Sequence, residues 1–95
     1  MAFYVYILQS HQNLSFYKGS TEDLERRLAE HNDGKTTSTR RYLPWVLVWF
    51  AQKASKQEAI ALERKLKNLS VERTIDFIER HPPPVGLFEV HGVQR

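Results

Sequence analysis

Ninety-five residues suffice for one small domain with a single core, so any functional site must lie on that core's surface or edge. Lys and Arg number 14 against 11 Asp and Glu, a formal net charge of +3 that suits a polyanionic partner without requiring one. The absence of cysteine excludes disulfide staples and thiolate metal sites. The apolar runs fall far short of the roughly 20 residues that span a bilayer, and no basic region precedes the first of them. The expectation is a soluble cytoplasmic protein without a signal peptide or membrane partner.

The first element in the chain is "FYVYILQ", Phe3 to Gln9, aromatic and β-branched with almost no polar residue, the pattern of a central strand covered on both faces. The turn-forming "SHQNLS" leads to "FYKG", Phe16 to Gly19, and the two runs predict a β-hairpin with a long connection. After Gly19, Ser20 or Thr21 can cap a helix whose first turn holds Glu22, Asp23 and Glu25, the charge sign that a helix N-terminus favours. Leu24 and Leu28 give that helix a narrow apolar stripe, and Asn32 to Gly34 should end it. The polar and basic stretch Lys35 to Pro44 has no period and is expected to be a loop.

"WVLVWF", Trp45 to Phe50, predicts another strand apolar on both faces. Ser55 and Glu58 form a capping box ahead of Ala59, Leu62, Leu66 and Leu69 at helical spacing. "VERTIDFIER", with Ile75, Phe77 and Ile78, predicts a third helix that breaks at His81, where the prolines keep the chain extended. The expected fold class is α+β: a small three-stranded, mostly antiparallel sheet flanked by helices, in the order β-β-α-β-α-α. Residues 1–80 are the expected domain, and 81–95 a proline-containing tail that either adds a short strand or lies on the surface.

Asp23, Arg27 and His31 are each four residues apart and share a helix face. The simplest account is a solvated stripe in which Asp23 pairs with Arg27. In the strands, Tyr4, Tyr6 and Leu8 share one face and Phe3, Val5 and Ile7 the other; Tyr17 and Gly19 face opposite to Phe16 and Lys18. Two tyrosines on neighbouring strands are, taken alone, an ordinary packing pair.

In combination these residues have a counterpart. "YVY" (Tyr4 to Tyr6), "YKG" (Tyr17 to Gly19), "GSTEDLERRLAEH" with Arg27 and His31, then "PWVLVWF" and "EAIALERKLK", occur in the order seen in the GIY-YIG nuclease superfamily. The chain resembles its small stand-alone bacterial members, and the catalytic domains of repair and homing endonucleases, from about Tyr4 to Leu69. Two positions depart from the pattern. Tyr4 stands where the family has a glycine, and Lys18 where it has an apolar residue. The side chain of Lys18 is expected to leave the sheet on the face away from Tyr17.

The resemblance implies metal-dependent hydrolysis of phosphodiester bonds in DNA, or else RNA, in repair, recombination or processing, with one Mg²⁺ or Mn²⁺. Arg27 would meet the charge that develops on phosphate oxygens. A hard ion that keeps its waters needs few protein ligands, and in the family one is a glutamate of the later helix. Periodicity does not separate Glu58 from Glu63; the capping role of Glu58 and the family motif favour Glu63. Tyr6 and Tyr17 correspond to the tyrosines from which a general base is drawn, and the sequence does not choose between them. His31 would share proton handling or bind phosphate, whereas His11, His81 and His91 are loop or tail residues. Lys35, Arg40 and Arg41 are either a solvated loop or contacts to the nucleic-acid backbone. No DNA-reading module is visible, so such a nuclease would be structure-selective, weakly specific or dependent on a targeting protein. The alternatives are a nucleic-acid-binding module without turnover and a protein-interaction scaffold.

Overall fold

In the computed structural model, which describes residues 2–95, the runs of alternating side-chain direction form three antiparallel strands: β1 (Phe3–Ser10), β2 (Phe16–Thr21) and β3 (Trp45–Lys53), in the order β2-β1-β3. β1 is central, and from Val5 to Ser10 every residue is buried, as a strand without polar alternation requires. One face carries Val5, Ile7, Val48 and Trp49. The other carries Tyr6, Leu8, Trp45, Leu47 and Phe50. Val48 and Trp49 are adjacent yet share a face, because the pairing of β1 with β3 slips between Ile7 and Leu8 and leaves Val48 as the extra residue of a bulge.

Three α-helices cover the sheet: α1 (Leu24–Asn32), α2 (Lys56–Lys67) and α3 (Val71–Arg80). α2 and α3 bury Ala59, Leu66 and Ile78 against the Val5 and Ile7 face, while α1 buries Leu24 against the Tyr6 and Leu8 face. The start of α1 differs from the sequence expectation. β2 continues to Thr21, and the N-cap is Asp23, whose carboxylate accepts the Arg26 N–H at 3.1 Å. Thr21 is used one step earlier, its hydroxyl accepting the Asp23 N–H at 3.1 Å. An acidic cap gains the dipole interaction as well as the hydrogen bond, which a threonine cap would lack.

α1 ends where Asn32 to Gly34 predicted. Gly34 has φ +76°, its N–H donates to the His31 carbonyl, and the Lys35 N–H donates to the Glu30 carbonyl, a Schellman closure. The following loop contains a short 3₁₀ turn, Arg40–Tyr42, that its composition did not announce. Ser55 caps α2 as expected, and Glu58 reaches back to the Ala54 N–H.

The tail forms no strand. It runs along β3, where the His91 N–H donates to the Leu47 carbonyl at 2.8 Å and the Gln94 backbone exchanges two hydrogen bonds with the side chain of Gln9. Phe88 packs edge-on against both Tyr4 and Phe50. Among the described residues, no helix is long and apolar enough to cross a membrane.

One position of β2 decides the geometry of everything that follows. Gly19 is paired with Tyr6, and a Cβ at Gly19 would lie 2.7 Å from the Tyr6 hydroxyl and 2.9 Å from the ring carbon that bears it. The Tyr6 ring is almost fully enclosed and has no room to swing aside. Gly19→Ala should therefore cost about 1–3 kcal/mol in a urea unfolding experiment, the range for overpacking. Tyr6→Phe, which removes the nearest atom, should recover part of that loss in the double variant; strictly additive effects would contradict the contact.

Candidate active site

Side-chain direction in a strand alternates, so Tyr6 and Tyr17 leave neighbouring strands on the same face, with ring centroids 6.2 Å apart. α1 crosses that face and brings His31 down between them. Its ring is 4.7 Å from that of Tyr17, and its Nε2 is 3.1 Å from the Tyr6 hydroxyl. His31 is fully buried. One turn earlier on α1, Arg27 is half-buried, with its charge near enough to Tyr6 to act on the phenol. Its guanidinium also bonds Glu30 at 3.2 Å and Thr36 at 3.3 Å. The expected pairing of Asp23 with Arg27 does not occur: as the N-cap, Asp23 lies before the first turn with its carboxylate on the Arg26 N–H, and Glu30 takes the arginine.

Glu63 approaches from the other side of the sheet. It leaves α2 and meets the outer strand β2 through the Ser20 hydroxyl, which donates to its carboxylate at 2.6 Å. The other carboxylate oxygen holds Lys67 at 2.6 Å. Its charge is felt at Tyr6, and that of Tyr17 at its partner Lys67, so the glutamate borders the tyrosine cluster. Lys18 leaves β2 on the face away from Tyr17, as expected, and its ammonium bonds the Thr74 hydroxyl at 2.9 Å.

The structure thus brings Tyr6, Tyr17, Arg27 and His31 into one cluster with Glu63 at its border. Lys35, Arg40 and Arg41 are not in the cluster. They are exposed, form no ion pair among the described residues, and follow α1 on the loop that leads back to β3. Sequence reasoning missed Ser20, Thr36, Thr39 and Lys67. Lys67 had a readable signal, lying four residues after Glu63 on the same helix. Thr36 and Thr39 had none, being two hydroxyls among several in an aperiodic loop.

Burial sets the protonation states. It drives Tyr6 up to about 12, with the neighbouring Tyr17 adding to the rise and Arg27 opposing it, so Tyr6 is a neutral phenol. His31 is pushed down to about 4, first by burial and then by the Arg27 charge, and is a neutral imidazole. For Glu63, burial favours the neutral acid, yet the bonds from Lys67 and Ser20 prevail and hold it below the ordinary carboxylate value. It is a carboxylate at neutral pH.

The chain is similar to known proteins along most of its length. Residues 2–76 match the family model of the GIY-YIG catalytic domain. A UPF0213 protein of Staphylococcus haemolyticus is 42% identical over 79 residues, covering 80% of this chain and 93% of the relative. A UPF0213 protein of Streptococcus pneumoniae is 38% identical over 79 residues, covering 82% of this chain and 79% of that protein. The solution NMR structure of a UPF0213 protein from Bacillus halodurans superposes with a TM-score of 0.58 at 35% identity, over 88% of this chain and 89% of the other.

The neutral, buried His31 makes stability depend on pH in a definite direction. An unfolded imidazole titrates near 6.5 and the folded one near 4, so between those values the unfolded state binds more protons and stability falls as pH drops. The full loss, complete below the folded value, is up to about 3 kcal/mol. Urea midpoints from pH 7 to pH 4 should fall more steeply for the wild type than for His31→Gln; parallel curves would contradict a buried neutral histidine.

Proposed function

The chain belongs to the GIY-YIG catalytic domain family, and from that premise we propose that it is a divalent-metal-dependent endonuclease, hydrolysing phosphodiester bonds of nucleic acid with Tyr6 as the group that takes the proton from the attacking water. The observation that carries this reading is the hydrogen bond between the Tyr6 hydroxyl and His31 Nε2. Of the two tyrosines, Tyr6 is the one whose own proton has an acceptor. As water gives a proton to the Tyr6 oxygen, Tyr6 passes its proton to His31, so no free phenolate has to form. The Arg27 charge that depresses His31 is countered once a phosphate pairs with the guanidinium, which eases that transfer.

Arg27 is always charged and projects five donors in a fixed fork, suited to two phosphate oxygens as charge builds on them. Its present partners, Glu30 and Thr36, leave it half-exposed on the side from which substrate and water would come. Tyr17 lines the same side, half-buried, and orients rather than exchanges protons. The exposed Lys35, Arg40 and Arg41 would hold the strand through its phosphates, which fixes position without reading sequence. DNA is the substrate that the family resemblance favours, with targeting left to substrate shape or to a partner protein.

The donor chemistry at Glu63 suits one hard cation such as Mg²⁺ or Mn²⁺: an ionised carboxylate backed by a serine hydroxyl, for an ion that takes most of its shell from water and phosphate oxygens. When bound there, such an ion would supply Lewis-acid stabilisation of the phosphoryl oxygens. Lys67 is at the rim and half-exposed, so it can leave the carboxylate without unpacking the helix.

Cleavage of single-stranded, duplex, nicked and branched DNA, and of RNA, in Mg²⁺ or Mn²⁺ tests the proposal. Arg27→Ala and Glu63→Gln should each reduce kcat by about 100-fold or more, and Tyr6→Phe by about 10²–10⁴-fold. Tyr17→Phe should act mainly on KM, with kcat within about tenfold of wild type. A larger kcat loss for Tyr17→Phe than for Tyr6→Phe would reverse the roles of the tyrosines. Nucleic-acid binding without cleavage of any substrate would remove the enzymatic reading.

A further inference from the structure

His31 is held at both of its nitrogens, and only one of those bonds belongs to the tyrosine cluster. Its Nδ1 lies 2.8 Å from the hydroxyl of Thr39, a fully buried residue at the entrance to the 3₁₀ turn. Thr39 is pinned independently of the histidine. Its carbonyl accepts the Trp45 indole N–H at 2.6 Å, and the Trp45 backbone is clamped by the Asn32 side chain through bonds of 2.7 and 2.9 Å. Because Asn32 is the last residue of α1, the end of that helix, the start of β3 and Thr39 form one rigid bracket.

The direction of the hydrogen bonds along this chain is set from its Thr39 end. The Thr39 hydroxyl points toward the Thr36 carbonyl at 3.4 Å, a group that can only accept. With its proton directed there, the Thr39 oxygen accepts from His31, and Nδ1 bears the hydrogen. Nε2 then carries no proton and accepts from the Tyr6 hydroxyl. All three steps run one way, from phenol to imidazole to hydroxyl to backbone carbonyl.

We infer that Thr39 is a positioning residue of the active site: its hydroxyl holds His31 as the Nδ1–H tautomer and so keeps the Nε2 lone pair aimed at the Tyr6 hydroxyl. In the opposite tautomer Nε2 would bear a hydrogen aimed at the Tyr6 oxygen, and the Tyr6 hydroxyl would lose the acceptor for its own proton. The proton balance is complete within these residues. Water loses a proton to the Tyr6 oxygen, the Tyr6 proton moves to Nε2, and the imidazolium that results keeps its Nδ1–H on Thr39, where the new charge strengthens the bond. Thr39 touches no substrate in this scheme and acts only through His31. It also directly precedes Arg40 and Arg41, so the residue that sets the tautomer is continuous with the exposed basic turn.

The inference rests on the proposed roles of Tyr6 and His31, and its test separates the two. Long-range ¹H–¹⁵N correlation spectra of the imidazole nitrogens report the tautomer without any catalysis. The full-length wild type at pH 7 should show His31 protonated at Nδ1. Thr39→Ser should retain that tautomer and keep kcat within about threefold, since the hydroxyl remains. Thr39→Val, nearly the same shape without the acceptor, should lose the single tautomer and lower kcat at least about tenfold with little change in KM. A wild-type His31 protonated at Nε2 overturns the inference outright, whether or not any variant folds. So does a Thr39→Val chain that keeps both tautomer and kcat, or one that loses activity with the tautomer unchanged, which would mark a purely structural threonine. If Tyr6→Phe stays active while the wild-type tautomer is as stated and Thr39→Val shifts it, the role of Tyr6 as base fails and the positioning of His31 by Thr39 stands.

Discussion

Tyr6 can stand upright at the centre of the sheet only because the residue paired with it has no side chain. Its ring carbon and hydroxyl occupy the volume that a Cβ on Gly19 would fill. From that placement follow the distance to His31, the nearness of the Arg27 charge to the phenol and the edge contact of Tyr17 with the imidazole. Central strand, edge strand and helix thus meet at one oxygen atom. The glycine of "YKG" serves a steric need here rather than a turn: it lies within a regular strand, where glycine otherwise weakens the ladder.

The electrostatics of the site depend on the same enclosure. A histidine and a tyrosine placed beside an arginine in water would titrate near their ordinary values. Shielded under α1, both are held neutral across the physiological range, and they face each other as donor and acceptor. Glu63, at the border and supported by two donors, is the group that keeps its charge. A fixed cation and a fixed anion therefore border a buried, neutral hydrogen-bonded pair. That division of labour suits the cleavage of a charged ester by water.

The fold was legible because its signals are local. Phe3 to Gln9 and Trp45 to Phe50 are apolar on both faces, Ser55 with Glu58 is a two-residue cap, and Gly34 closes α1 as glycine usually does. Where the reading shifted, two local options were close in energy. Ser20, Thr21 and Asp23 can all cap a helix, and continued pairing of β2 with β1 as far as Thr21 carried the helix start to Asp23. Period gave the faces of the tyrosines, Arg27 and His31, since alternation in strands and a four-residue step in a helix specify them, but only the family resemblance singled these residues out as a site. The bonds of Ser20 to Glu63 and of Thr39 to His31 were beyond such reasoning. Each depends on how a loop or an edge strand is held against an element far away in the chain, and neither residue type nor spacing encodes that.

The run of the tail along β3 bears on how the molecule behaves among copies of itself. β3 is an edge strand of nine residues beginning "WVLVWF", a segment whose β-propensity and lack of charge would make an open edge a template for intermolecular pairing. The bond from His91 to Leu47, the glutamine pair Gln9 and Gln94, and Phe88 set against Phe50 lay the chain's own end along that strand. The bulge at Val48 also interrupts the flat ladder that a second chain would need. A sequence that places an aggregation-prone strand on the outside of the sheet thus carries its own gatekeeper, tied to the central strand by the side-chain amide of Gln9.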